Sequence, residues 1–154
     1  MVAIRTGCMK GCVGSGSDCT RCIDRQVSRD VVQEWAAFLR GFGLETYLTF
    51  TYNDLYGEEF GIKTERAALR DARKFLRELG YRGRYFLAVE WHREREIPHL
   101  HGMIEDIWRK SVFQAWYGSG RGMARVLPLT SGGFEYCCKY VLKDMHGDSI
   151  GMFL

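Results

Sequence analysis

Arg84-Tyr85-Phe86-Leu87-Ala88-Val89-Glu90-Trp91 and Ile97-Pro98-His99-Leu100-His101-Gly102-Met103-Ile104-Glu105 are two strand-length apolar runs, separated by the charged stretch His92-Arg93-Glu94-Arg95-Glu96. Two such runs joined by a short polar turn read as an antiparallel hairpin. A hairpin excludes a purely parallel α/β sheet. Upstream, Thr46-Tyr47-Leu48-Thr49-Phe50-Thr51-Tyr52 alternates and is rich in β-branched and aromatic residues, and Asn53-Asp54 closes it. It reads as a strand with Leu48, Phe50 and Tyr52 on one face and Tyr47, Thr49 and Thr51 on the other.

Helical periods fill the intervals. Ser28 is read as the N-cap of a helix to about Arg40, with Val31, Val32, Trp35, Phe38 and Leu39 at helical spacing and Gly41 and Gly43 ending it. Thr64 caps a second helix whose stripe is Ala68, Ala72, Phe75, Leu76 and Leu79, stopping before Gly80. The basic residues Arg66, Arg70, Arg73, Lys74 and Arg77 on it are taken as a solvated outer face. Trp108 to Tyr117 forms a third helix, Met123 to Leu127 a strand stopped by Pro128, and Gly132 or Gly133 leads into a last helix through Lys143. The fold class expected is α+β, an antiparallel sheet with flanking helices gathered on one face and the other face open to a ligand.

The 154 residues suit one compact domain, and 46% apolar with 27% charged residues is ordinary for a globular protein. A net charge of +3 does not by itself identify a nucleic-acid partner. No stretch has the ~20 apolar residues of a membrane span, and Met1 to Lys10 lacks an apolar signal core, so a cytoplasmic location without membrane attachment is expected. That favours metal binding or free thiols over disulfides for the six cysteines. Cys8, Cys12, Cys19 and Cys22 have the pairwise spacing of a four-thiolate structural zinc site, with reduced thiols in a flexible leader as the alternative. Residues 1–26 are accordingly set apart as a Cys-rich N-terminal segment, and 27–154 as the main domain. Cys137 and Cys138, inside the last helix, are read as structural.

Residues two apart on a strand share a face, so His99 and His101 present two imidazoles side by side while Leu100 enters the core. Such a pair suits one metal ion. A third, carboxylate ligand would favour Mg²⁺ or Mn²⁺, and Glu90 across the hairpin is placed to supply it. In the last helix Tyr136 and Tyr140 lie one turn apart, and Lys139 and Lys143 repeat that spacing. A phenol attacking phosphorus needs the phosphate charge offset by a metal and a nearby ammonium group. The alternative is an amphipathic helix with Tyr at the core edge and Lys in solvent. His92 is read as a solvated turn histidine and His146 as incidental.

The residues resemble the HUH endonucleases, which include the rolling-circle replication initiators of plasmids and of small single-stranded DNA phages and viruses. Thr46 to Tyr52 looks like the family's first motif, Pro98-His99-Leu100-His101 like its metal motif and Lys139-Tyr140-Val141-Leu142-Lys143 like its tyrosine motif, in the family's order. Glu90 corresponds to the acidic ligand of many viral members. The chain is most similar to initiators of gokushovirus-like microviruses, through Cys19-Thr20-Arg21-Cys22, Trp35, the Trp116-to-Gly120 segment and the Tyr-x-x-x-Tyr-x-x-Lys arrangement. Those phage proteins more often carry an aromatic residue between the histidines, where this chain has Leu100.

The resemblance implies an HUH nuclease domain that nicks single-stranded origin DNA. His99, His101 and Glu90 would hold Mn²⁺ or Mg²⁺. Tyr140 would be the first nucleophile and Tyr136 the second, with Lys139 and Lys143 on the phosphate. A 5′-phosphotyrosine would form and a 3′-hydroxyl would prime replication, inside a host cell if the chain is phage or plasmid encoded. The chain has no Gly-x4-Gly-Lys-Ser/Thr loop, so a separate helicase and polymerase are implied as partners. Rival expectations are an HUH transposase or relaxase, a zinc hydrolase or structural metal protein, and a non-catalytic single-strand-binding module stacking bases on Tyr47, Phe86 or Trp91.

Overall fold

The computed structural model describes residues 20–91, 97–143 and 150–153, with the side chains at 20–28, 140–143 and 150 outside the description. The order of elements is α1 (Thr20–Arg40), β1 (Thr46–Tyr52), α2 (Asp54–Glu59), α3 (Glu65–Glu78), β2 (Tyr85–Trp91), β3 (Pro98–Ile104), α4 (Arg109–Gly118), β4 (Gly122–Pro128), α5 (Gly133–Lys143) and β5 (Ile150–Phe153). One antiparallel sheet runs β4-β1-β3-β2-β5. The α+β class is as expected, and β2 and β3 pair as a hairpin with Glu90 opposite His99 and Ala88 opposite His101.

Helices cover both faces of the sheet, which corrects the one-sided arrangement expected. On the first face Leu48, Phe50, Leu87, Val89 and Leu100 pack against Ala68, Ala72, Phe75 and Leu76 of α3 and Val112 and Trp116 of α4. Phe50 and Trp116 stack with ring centroids 4.1 Å apart and planes 9° apart. On the second face Phe86, Ala88 and Met103 lie under Val32, Ala36 and Leu39 of α1 and Cys137 and Cys138 of α5. The reason is legible in β2: Phe86 and Ala88 alternate with Leu87 and Val89, and all four are buried. A strand apolar on both sides calls for a layer on each.

Boundaries differ in three places. α1 begins at Thr20, so Ser28 lies inside the helix and does not cap it, and the division expected after residue 26 falls within α1. Asn53, read as a strand stop, also caps α2, its side-chain oxygen accepting from Tyr56 N at 2.7 Å. β5 was not anticipated. It pairs with β2, with Phe86 opposite Met152 and Leu87 opposite Gly151.

Two glycines are required by close approach. A Cβ on Gly102 would stand 2.6 Å from Leu87 Cδ2 and 2.7 Å from the Phe86 carbonyl oxygen, so no larger residue fits after His101 without displacing the neighbouring strand. Gly122 opens β4 at φ +140°, where a Cβ would meet the Thr51 carbonyl oxygen at 2.2 Å.

Thr64 caps α3 as expected, its hydroxyl accepting from Ala67 N at 3.1 Å. Thr64→Ala is expected to cost about 1 kcal/mol, read from urea unfolding midpoints. A change under a few tenths would show that α3 is held by packing alone.

The stretch after α4 returns into the core through Arg121, which is 5% exposed. Its Nε donates to Asp71 Oδ2 at 2.9 Å and its terminal nitrogen to Asp71 Oδ1 at 3.2 Å and Glu78 Oε2 at 3.3 Å. Its guanidinium also lies 5.3 Å from the Phe75 ring centroid and 5.6 Å from that of Trp116. Burial works against its charge, but Asp71 outweighs that and keeps the group protonated. Asp71 further accepts from Tyr56 OH at 3.1 Å, so α2, α3 and the start of β4 meet at one polar knot.

Candidate functional site

Directly opposed residues of paired strands share a face. The β1, β2, β3 and β4 registers therefore lay out two rows on the second face: Glu90, His99, Thr51 and Met123, then Ala88, His101, Thr49 and Arg125. A third row holds Phe86, Met103, Tyr47 and Leu127. The expected two-face division of β1 is observed: Leu48, Phe50 and Tyr52 are buried in the first core, while Tyr47, Thr49 and Thr51 face the histidines.

Both imidazoles are held at Nδ1. His99 Nδ1 lies 3.0 Å from Thr51 Oγ1, and His101 Nδ1 lies 2.9 Å from Tyr47 OH and 3.3 Å from Thr49 Oγ1. Thr49 in turn donates to Tyr47 OH at 2.9 Å. On its other side His101 presents Nε2 to Glu90 Oε2 at 3.1 Å. His101 is 8% exposed, so this contact is shielded from bulk water. The structure thus brings all three expected metal ligands, His99, His101 and Glu90, onto one patch of sheet.

The donor set suits a divalent ion: two imidazoles oriented through Nδ1, with a carboxylate against Nε2 of one of them. Among the described residues no group of three or more His, Cys, Asp or Glu is gathered closely enough to form a ready-made cage. The three are neighbours in the sheet. Cys8, Cys12 and Cys19 of the expected zinc site lie outside the described residues, as does the side chain of Cys22, and His92 and His146 also lie outside them.

α5 brings the phenol. It is tied to α1 by the Arg40–Glu135 ion pair, with Arg40 also over the Phe134 ring at 5.3 Å. Arg40 holds the Glu135 carboxyl below its ordinary range by hydrogen bonding. Cys137 and Cys138 are buried against the sheet; burial raises both thiols, Cys138 to about 12, so they stay protonated and serve as packing, in keeping with the structural role expected. This seating turns Tyr136 toward the histidines. Its ring meets His101 edge-on at 6.3 Å between centroids and Tyr47 at 5.9 Å, and the residue is 46% exposed. Lys139 is exposed on the same helix, while the side chains of Tyr140 and Lys143 fall outside the description.

Tyr47 and Thr49 are the residues whose part in this site sequence alone left open. Burial raises Tyr47 to about 12, so its hydroxyl is a neutral donor and acceptor near pH 7. Arg125, opposite Thr49 and exposed, was not singled out either, because one arginine on an edge strand carries no motif. The stacking platform of the rival binding-module expectation is corrected. Phe86 is fully buried, Tyr47 is engaged by His101 and Thr49, and Trp91 sits on the first face donating to Glu65 Oε1 at 2.5 Å.

Among the described residues no helix is long and apolar enough to cross a membrane. No curated protein and no solved structure matches the chain. A family model does, that of the ORF2-type replication-associated proteins, over residues 45–145. That span is more than half the chain and runs from the edge of β1 past α5, taking in the histidine strand, Glu90 and both tyrosines of the last helix. On this match the chain belongs to the family of ORF2-type replication-associated proteins.

Proposed function

We propose that this replication-associated protein is an HUH-type, metal-dependent endonuclease and strand transferase that nicks and rejoins single-stranded origin DNA to start rolling-circle replication. The observation that carries the reading is the Tyr136 ring set edge-on against His101, whose Nε2 meets Glu90. A phenol, two imidazoles and a carboxylate on one half-open sheet face form the set of groups that tyrosine attack on a phosphodiester calls for.

His99, His101 and Glu90 would hold Mn²⁺ or Mg²⁺. When bound, such an ion supplies Lewis-acid polarisation of a phosphate oxygen. The residues do the rest. A tyrosine oxygen attacks phosphorus, the bond from phosphorus to the 3′ oxygen breaks, and that oxygen leaves as a 3′-hydroxyl after taking up a proton. The 5′ phosphate stays on the tyrosine. Lys139, with Lys143 one turn on, offers ammonium groups to the phosphate oxygens. Tyr140 is our first nucleophile, on its Lys-Tyr-x-x-Lys frame, and Tyr136 the second; attack by the 3′-hydroxyl on the phosphotyrosine reverses the step and reseals the strand.

The test is to incubate the full chain and Mn²⁺ with labelled single-stranded DNA carrying its origin, then look for an adduct that survives denaturation. The adduct is expected with Mn²⁺ and lost on chelation. His101→Ala is expected to slow its formation about 100-fold or more, since several kcal/mol of charge stabilisation depend on the ion. An unchanged rate in His101→Ala would remove the metal from the reading, and binding without any adduct would leave a non-catalytic single-strand-binding protein.

A further inference from the structure

Tyr47 and Thr49 take no part in the nicking chemistry, yet they make three close contacts around His101. Thr49 donates to Tyr47 OH at 2.9 Å, Tyr47 OH lies 2.9 Å from Nδ1, and Thr49 Oγ1 lies 3.3 Å from the same nitrogen. Across the ring Nε2 is 3.1 Å from Glu90 Oε2. A carboxylate only accepts hydrogen bonds, so in a neutral imidazole facing it Nε2 carries the proton and Nδ1 accepts from Tyr47. The hydrogens then all run one way, from Thr49 through Tyr47 and His101 to Glu90.

Metal binding through Nε2 needs the other tautomer, with hydrogen on Nδ1. A hydroxyl serves both states, because it donates to a bare Nδ1 and, turned about its C–O bond, accepts from a protonated one. The Tyr47 phenol keeps its proton in this buried setting, so it remains available for either task.

We infer that Tyr47, backed by Thr49, is the positioning residue that lets His101 exchange its Nε2–H tautomer for the Nδ1–H tautomer and so sets the ring for metal uptake. The inference rests on the reading of His101 as a metal ligand. Tyr47 touches neither phosphate nor ion in this scheme. It acts through the imidazole, and through its ring contact with Tyr136 it keeps that phenol beside the same nitrogen-bearing ring.

The experiment follows the ring nitrogens of His101 by NMR in the full chain. The metal-free parent is expected to show Nε2–H, and addition of Zn²⁺ as a diamagnetic probe to move the proton to Nδ1. Tyr47→Phe keeps the ring but removes the hydroxyl; it is expected to blur the metal-free tautomer and to weaken Mn²⁺ binding, measured by calorimetry, about 10- to 100-fold. Thr49→Val, which leaves Tyr47 in place, is expected to weaken Mn²⁺ less than Tyr47→Phe does, and it serves as the second variant should Tyr47→Phe fold poorly. Mn²⁺ affinity within about threefold of the parent in Tyr47→Phe, or a His101 tautomer unmoved by it, overturns the inference. A parent that binds no Mn²⁺ removes the nuclease reading instead, and the metal-free tautomer then still decides whether Tyr47 sets the ring.

Discussion

The double variant Tyr136→Phe with Tyr140→Phe forms no denaturation-resistant DNA adduct, a loss expected on the order of 10⁴-fold or more, while the sheet and its Mn²⁺ uptake persist. Phenylalanine keeps the edge-on contacts that Tyr136 makes with His101 and Tyr47, so the change removes a nucleophile and little packing. The chain has eight tyrosines, and most of those placed in the structure are committed elsewhere. Tyr52 and Tyr56 are held in the α2–α3 contact, with burial raising both phenols, and Tyr81 donates to the Arg84 carbonyl oxygen. The single variants separate the two roles: Tyr140→Phe is expected to block the first cut, and Tyr136→Phe the second transfer. Adduct formation surviving in the double variant would end the tyrosine assignment, and mapping the attached residue by mass spectrometry would name its replacement.

The largest expected effect on stability belongs to Asp71→Ala. That change removes the bidentate partner of Arg121 and leaves a buried guanidinium with Glu78, whose side chain is half exposed, as its remaining acidic contact. Truncating one partner of a buried pair costs about 3–5 kcal/mol, a large share of the roughly 5–15 kcal/mol that holds a domain of this kind together. Urea unfolding of the parent and the variant measures it. Arg121→Met introduced together with Asp71→Ala is expected to recover much of the loss, because no unpaired charge is then buried. A single-variant loss below about 1 kcal/mol would show that water reaches the knot and solvates Arg121.

Much of the site can be followed back to local pattern. Period-two alternation assigned Tyr47, Thr49 and Thr51 to one face of β1, and the short turn after Trp91 paired β2 with β3, which set Glu90 against His99. Helical spacing put Tyr136 and Tyr140 one turn apart. These are properties of neighbours in sequence, governed by strand pleat and helix pitch. The order of strands is not of that kind. β4 lies beside β1, and β5 beside β2, through contacts between segments far apart in the chain.

Local pattern was weakest where a residue serves two masters. Ser28 looks like a cap because capping is a local chemistry, but the helix reaches back past it to Thr20. Phe86 looks like a stacking platform because aromatic residues suit exposed sheets, but α1 and α5 cover it. Asp71 and Arg121 stand in ordinary polar surroundings, fifty residues apart, and only folding makes them a buried pair.

By itself, then, the sequence determined the α+β class, the pairing of the central hairpin and which side chains share the histidine face, since each follows from strand or helix periodicity. Tertiary structure alone decided three things: that helices close over both sides of the sheet, that α5 is seated so that Tyr136 meets His101, and that Tyr47 and Thr49 grip Nδ1 while Glu90 meets Nε2. Those depend on how separate elements pack and on which ring nitrogen faces which oxygen. No repeat in the chain encodes that geometry.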